Sequence, residues 1–466
     1  MTDPDRNPAA LSATEICNLL GAGSLTPDAL LDCAAARHGA LDGELNALPT
    51  LCIERARKRA GAMVAPLNGI PVAVKDLTAV EGVRTTYGSR IFADHVPDAS
   101  DYVVQRLEAS GGLVFAKSNT PEFGCGGVTF NDVFGQTRNP WNTDYTPGGS
   151  SGGSAAALAS GQAWLALGSD FGGSLRIPAS FCGVVGLRPT PGCIPRGPAT
   201  LPFDRHWVEG PMARSVADVA LLLDALTGHD PRDPLSARPG PSAREAVMSA
   251  AGPVRVASVG GMGLGRVEAA VSECVERALG TLQRTPGWEV SRCELDLSAA
   301  REVFAIRRGQ GYAAMFGEFR RDCPELLRDD IVNDLDRGLA YTAGEIARAD
   351  RLQGDLWRAA APLLEEFDVI ACPTVAVAPF RMENARITRI AGEEAPTYYD
   401  WLRQTFSLSL LGVPSISIPC GFTADGLPIG LQLAGPPHAE ARLLQIAAAV
   451  EARLDVFNGV NAPWQR

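Results

Sequence analysis

Short apolar runs and amphipathic stretches take turns along this chain, and that alternation constrains its fold more than any other feature. Ile70 to Val74 is a run of strand length, Asp101 to Ser110 has helical periodicity, and beyond Gly111-Gly112 a second run covers Leu113 to Ala116. Helical character returns at Ala155 to Ala159, strand character at Trp164 to Leu167 and Val184 to Leu187, and helix again at Val216 to Leu226. Such alternation is satisfied by a sheet buried on both faces, because a helix joining two strands packs back onto the sheet. The expected class is α/β, with one central mixed, mainly parallel β-sheet covered by helices on both faces.

The rest of the chain is read around that core. Residues 1–66 form an N-terminal helical segment, signalled by the capping box Ser12-Ala13-Thr14-Glu15 and by Thr26-Pro27 ahead of a second helix. Residues 67–220 carry the core described above. Within 221–364, a Pro- and Asp-rich connection from Gly228 to Ser242 leads to Val254 to Val259, a helix from Val267 to Leu282 and Trp288 to Leu297, followed by a charged helical region. Apolar runs at Val369 to Cys372, Ser415 to Pro419 and Ile429 to Leu433 then let 365–466 complete the same sheet. No internal repeat is present.

Composition removes several function classes. The net charge of −11 is spread along 466 residues, which gives no electrostatic footprint for nucleic acid or for an anionic membrane. The 11 cysteines show no CxxC spacing, and with the polar start Met1-Thr2-Asp3-Pro4 they fit a reducing cytoplasm. The 5 histidines are widely separated and assemble no HExxH or Cys/His cluster, so neither a metal nor a cofactor is expected.

Two glycine-rich segments carry the candidate chemistry. The first is Thr146-Pro147-Gly148-Gly149-Ser150-Ser151-Gly152-Gly153-Ser154, and the second is Gly168-Ser169-Asp170-Phe171-Gly172-Gly173-Ser174-Leu175-Arg176-Ile177-Pro178. A flexible linker is disfavoured for the first, since an apolar helix follows at once. A phosphate loop is disfavoured as well, because no Lys-Ser or Lys-Thr closes it. In the second, consecutive glycines ahead of a serine let backbone N–H groups converge beside a hydroxyl, which is what an oxyanion hole requires.

With the upstream Gly69-Ile70-Pro71-Val72-Ala73-Val74-Lys75-Asp76, and with Phe181-Cys182-Gly183-Val184-Val185-Gly186-Leu187-Arg188-Pro189-Thr190, these blocks resemble the amidase signature enzymes. The likeness is densest from Leu67 to Met212 and continues through Ala371-Cys372-Pro373-Thr374 to Gly430-Leu431-Gln432. It departs at Ser409-Leu410-Leu411-Gly412-Val413-Pro414, where relatives often carry Asn-x-Thr-Gly-x-Pro. The resemblance implies hydrolysis of a carboxamide to a carboxylate and ammonia or an amine. It makes Ser174 the nucleophile that forms an acyl-enzyme, Ser150 the middle serine at a cis peptide, and Lys75 the base. The backbone N–H groups of Phe171, Gly172, Gly173 and Ser174 would bind the oxyanion, with Asp170, Arg176 and Ser151 bracing the loops.

Elementary chemistry agrees with those roles. A serine hydroxyl needs a neighbour to take its proton, and an amide nitrogen leaves only when a proton is returned to it. A lysine is a base only when neutral, which calls for burial such as Val72, Ala73 and Val74 would provide. The bland alternative is an ion pair of Lys75 with Asp76 or Asp170.

Other readings stay beside this one. Gly149-Ser150-Ser151-Gly152-Gly153 also satisfies GxSxG, so an α/β-hydrolase esterase could use Ser151, Asp425 and His438. An A-type amidotransferase subunit would hand ammonia to a partner instead of releasing it. Gly260 to Gly265 fails dinucleotide spacing and reads as a mobile loop. Tyr398, Tyr399, Trp401 and Phe406 either line the acyl pocket or belong to the core, and Cys125, Gly126, Tyr398 and Trp401 are the expected pocket residues. The expected partner is a small amide, with no nucleic acid and no membrane; a homodimer is left open.

Overall fold

Among the described residues, eleven strands hydrogen-bond into one sheet. The computed structural model describes residues 7–61, 64–384 and 386–466. In chain order the strands are β1 (Thr50–Leu51), β2 (Pro71–Lys75), β3 (Leu113–Ser118), β4 (Leu165–Asp170), β5 (Val185–Arg188) and β6 (Val208–Ala213). They continue as β7 (Val254–Ser258), β8 (Trp288–Arg292), β9 (Val369–Pro373), β10 (Ser415–Phe422) and β11 (Pro428–Ala434). Across the sheet the order is β1-β3-β2-β4-β6-β5-β10-β11-β9-β7-β8. Parallel pairing holds on both flanks, in β3-β2-β4 and in β9-β7-β8. The ladders between β4 and β9 are antiparallel.

Burial on both faces explains the near-continuous apolar strands. Along β9, Val369 and Ala371 point into one core while Ile370 and Cys372 point into the other, as the two-residue period demands. The first core holds the interior of the helices Gly152–Ala159, Val216–Leu226 and Glu440–Leu454. The second lies under the helices Ala343–Glu366 and Arg403–Leu410. A third, largely aromatic cluster joins Phe123 to the helices Ala300–Asp322 and Asp329–Ala340.

Some details differ from the sequence reading, the two-residue edge strand β1 among them. Strand β6 was not anticipated, because Gly210-Pro211 punctuates it and proline cannot donate to a ladder. It is accommodated here because β5 pairs only with Met212 and Ala213, leaving Pro211 to face β4 alone. The Gly260 to Gly265 segment is a compact turn that buries Met262 and Leu264 in the second core. The capping box at Ser12 is present, with Glu15 returning to the Ser12 backbone N–H. No helix among the described residues is long and apolar enough to cross a membrane.

Candidate active site

Lys75 ends β2 with 0 % of its surface exposed. Its Nζ donates to Ser150 Oγ at 2.7 Å and to Ser169 Oγ at 3.1 Å. The alternative ion pairs with Asp76 and Asp170 do not form, because both carboxylates pair with other cations. Asp76, the next residue, points to the other side of the strand, where it pairs with Lys117 at 3.1 Å and accepts from Thr86 Oγ1 at 2.6 Å. Burial therefore drives Lys75 from its ordinary value down to about 7, against the opposing pull of Glu209 and Asp170. A buried amine with a substantial neutral fraction near pH 7 can accept a proton.

Ser150 is held by the loop between β3 and the helix Gly152–Ala159, and the Gly149–Ser150 peptide is cis. Ser174 follows β4 by four residues, in the turn before the helix Arg176–Cys182. Its carbonyl accepts from Ser151 N–H at 3.1 Å, which ties the two serine loops together. The Ser174 hydroxyl itself has no hydrogen-bond partner among the described residues. It lines a narrow cavity of about 30 Å³ together with Ser150, Ser169, Phe171 and Gly172.

Asp170 organises the turn. Its carboxylate accepts from Gly173 N–H at 2.9 Å and Leu175 N–H at 3.2 Å, and it faces both Arg176 at 3.0 Å and Arg188 at 3.2 Å. Burial opposes its ionisation, yet the two guanidiniums outweigh that and hold the carboxyl down at about 2. Arg176 spends its remaining donors on Thr405 O, Gln432 Oε1 and Ser409 Oγ. Every charge in this cluster has a partner, as a buried cluster requires. One expectation is corrected here: Gly173 N–H donates to Asp170, whereas Phe171, Gly172 and Ser174 line the cavity and their N–H groups have no hydrogen-bond partner among the described residues.

One face of the helix Ala300–Asp322 forms the opposite wall, with Phe304, Arg308 and Tyr312 spaced four residues apart. Phe304 packs so closely on the Gly172 backbone that a Cβ there would lie 2.7 Å from its ring. Arg308 pairs with Asp334 at 2.6 Å and lies over the Tyr312 and Tyr398 rings.

The family model described as Amidase matches residues 29–444, most of the chain. This chain belongs to the amidase signature family. It is 35% identical over 461 residues to an acylamidase of Rhodococcus erythropolis, with 95% of each chain covered. It is 34% identical to the A-type subunit of glutamyl-tRNA(Gln) amidotransferase from Moorella thermoacetica, over 95% of this chain and 96% of that one. A solved bacterial aryl acylamidase of the amidase signature family superimposes with a TM-score of 0.91 at 26% identity, covering 98% of this chain and 99% of that one.

Within this amidase signature fold, the competing hydrolase triad does not assemble. Ser151 is wholly buried at the start of a helix, where its hydroxyl donates to Ser169 O at 3.3 Å. Asp425 is exposed in the turn between β10 and β11, and His438 lines a different surface cavity beside Thr190. The pocket expectations divide. Tyr398 and Gly126 line the cavity. Trp401 does not: it is 1 % exposed and stacks on Phe181 at 5.7 Å, under the Gly127 backbone. Cys125 is also displaced into the third core, where its thiol meets Arg308. Tyr399 and Phe406 are core residues around Phe304. The sequence reading missed Ser169, Trp207, Phe304 and Arg308 in the site. Of these only Ser169 carried a local signal, as it lies within the second glycine-rich block.

Proposed function

We propose that the amide-hydrolysing activity of this chain runs through Ser174 as nucleophile, with Ser150 relaying the proton to Lys75. The observation that carries this reading is the fully buried Lys75, bonded to Ser150 at 2.7 Å and bearing no carboxylate partner. Neutral Lys75 takes the Ser150 proton as Ser150 takes that of Ser174, and Ser174 Oγ bonds to the amide carbon. Charge gathering on the carbonyl oxygen is met by the N–H groups of Phe171, Gly172 and Ser174. Collapse breaks the C–N bond while the proton returns through Ser150 to the leaving nitrogen, and water then hydrolyses the acyl ester by the same relay.

The substrate is a small carboxamide, and the chain acts as a hydrolase in its own right. Eleven free thiols support a reducing, cytoplasmic location. A serine-directed phosphonate, followed by peptide mapping, tests the assignment: the label is expected on Ser174, and hydroxylamine should intercept the acyl group as a hydroxamate. A label on Ser151 would overturn it.

A further inference from the structure

Beside the narrow site lies a second cavity about ten times larger, of about 320 Å³, walled by Leu77, Phe123, Trp207, Phe316 and Phe319. Trp207 lines both cavities. Gly124 lines the narrow cavity and stands between the two, since a Cβ there would lie 2.7 Å from Leu77 of the larger cavity, 3.5 Å from Ser150 Oγ and 3.6 Å from the Trp207 ring. The large cavity therefore adjoins the relay on the side of Ser150, the hydroxyl that returns a proton to the leaving nitrogen.

Its polar lining is acidic. Glu209 lies across the β4–β6 ladder from Ser169 and so shares the face on which Lys75 and Ser169 meet. It is 8 % exposed, and its Oε2 has no hydrogen-bond partner. A buried carboxylate oxygen in that condition is an acceptor awaiting a donor. Asp101 joins it at the cavity wall. Burial raises both, Glu209 to about 7 and Asp101 to about 6, so an arriving cation would favour their charged forms. The cavity also holds a cation, Arg196, which lies over Trp207 and 4.0 Å from Asp204 and whose charge partly offsets the rise at Glu209 and Asp101.

We propose that this cavity is the leaving-amine site, and that the chain takes amides of a small acyl group with an arylalkyl amine bearing a second, protonated amine for Glu209. The inference rests on the Ser174–Ser150–Lys75 reading, since Ser150 decides which side the amine occupies. Aromatic walls suit the ring and stabilise a cation over their faces. The narrow cavity has room for little more than the reacting carbonyl and a short acyl chain.

The test holds the acyl group constant as acetyl and varies the amine: ammonia, 4-methylbenzylamine, 4-(aminomethyl)benzylamine and 4-carboxybenzylamine. The aminomethyl amide should exceed the methyl amide in kcat/KM by about tenfold or more, the gain expected of one hydrogen bond to a charged group, and the carboxy amide should rank last. Glu209→Gln should abolish most of that ratio. Equal rates for the three benzyl amides, or a preference for the carboxylate, would overturn the proposal. Ser174-dependent hydroxamate formation from acetamide tests the underlying reading separately. Calorimetry of 4-(aminomethyl)benzylamine on Ser174→Ala protein decides the cavity even if no amide turns over: saturable binding weakened by Glu209→Gln supports it, and absence of binding sinks it.

Discussion

Two lysines, both wholly buried and on adjacent strands, have been given opposite surroundings. Lys75 ends β2 and Lys117 lies next to it in β3, opposite Val74. Lys117 has a carboxylate, Asp76 at 3.1 Å, and also donates to Thr78 O and Thr85 Oγ1, each at 2.8 Å. Lys75 has only two serine hydroxyls. Burial lowers both lysines, but the Asp76 charge opposes that shift for Lys117 from direct contact, whereas for Lys75 Glu209 and Asp170 act from beyond ion-pair distance. The lesson is that burial alone does not make a base; withholding the counter-ion does. Asp76 sits beside Lys75 in sequence and serves the other lysine because successive side chains on a strand leave opposite faces.

The sharpest way to break this comparison is to make the same substitution at both positions. Lys75→Met should lower kcat by about 10⁴-fold or more, as loss of a member of a catalytic unit does, while the thermal midpoint is kept. Ser174→Ala should match it. Lys117→Met should do the reverse and cost about 3–5 kcal/mol of stability, because Asp76 is left in the interior without its cation, held by Thr86. Denaturant melts paired with single-turnover rates separate the two effects. Unfolding of Lys75→Met, or loss of chemistry in folded Lys117→Met, would collapse the distinction.

A smaller effect sharpens it. With Lys75 lowered to about 7, its neutral form dominates above that pH and its charged form below. kcat/KM on a neutral amide should therefore climb about tenfold per pH unit below about 7 and level off above, with an inflection that belongs to the relay as a whole. A flat profile from about pH 5 to about pH 9, with chemistry limiting, would remove the lysine base. Smaller still, Ser169→Ala removes one of the two hydroxyls on Nζ and should cost about fivefold in kcat, the worth of one neutral hydrogen bond. His438→Ala, remote from the relay, should stay within about twofold.

What was legible in the sequence followed from local rules. The two-residue period placed Lys75 at the end of a buried run, and the glycine blocks marked Ser150 and Ser174 by their spacing. The paired core strands could be read as well, apart from β1 and β6. What failed were contacts made between segments far apart in the chain. Clustering of Tyr398, Trp401 and Phe406 along the sequence says nothing of which ring turns toward Ser174, and Trp401 turned to Phe181. Glu209 was invisible because the strand that carries it contains Gly210-Pro211, and its relation to Lys75 exists only across the sheet. The Gly173 amide was misassigned because Asp170, three residues earlier, reaches it first.

The wall formed by Phe304, Arg308 and Tyr312 divides labour in a way that bears on how such a protein can diversify. The groups proposed to break bonds lie at a strand end and in glycine-rich turns leading into helices, while this face belongs to a single long helix outside the sheet. A substitution at Arg308 or Tyr312 can resculpt the space offered to a molecule while the strands and turns stay in place, whereas Phe304 also braces the Gly172 backbone, so selection can explore new diets at two of the three positions while the reaction itself stays intact.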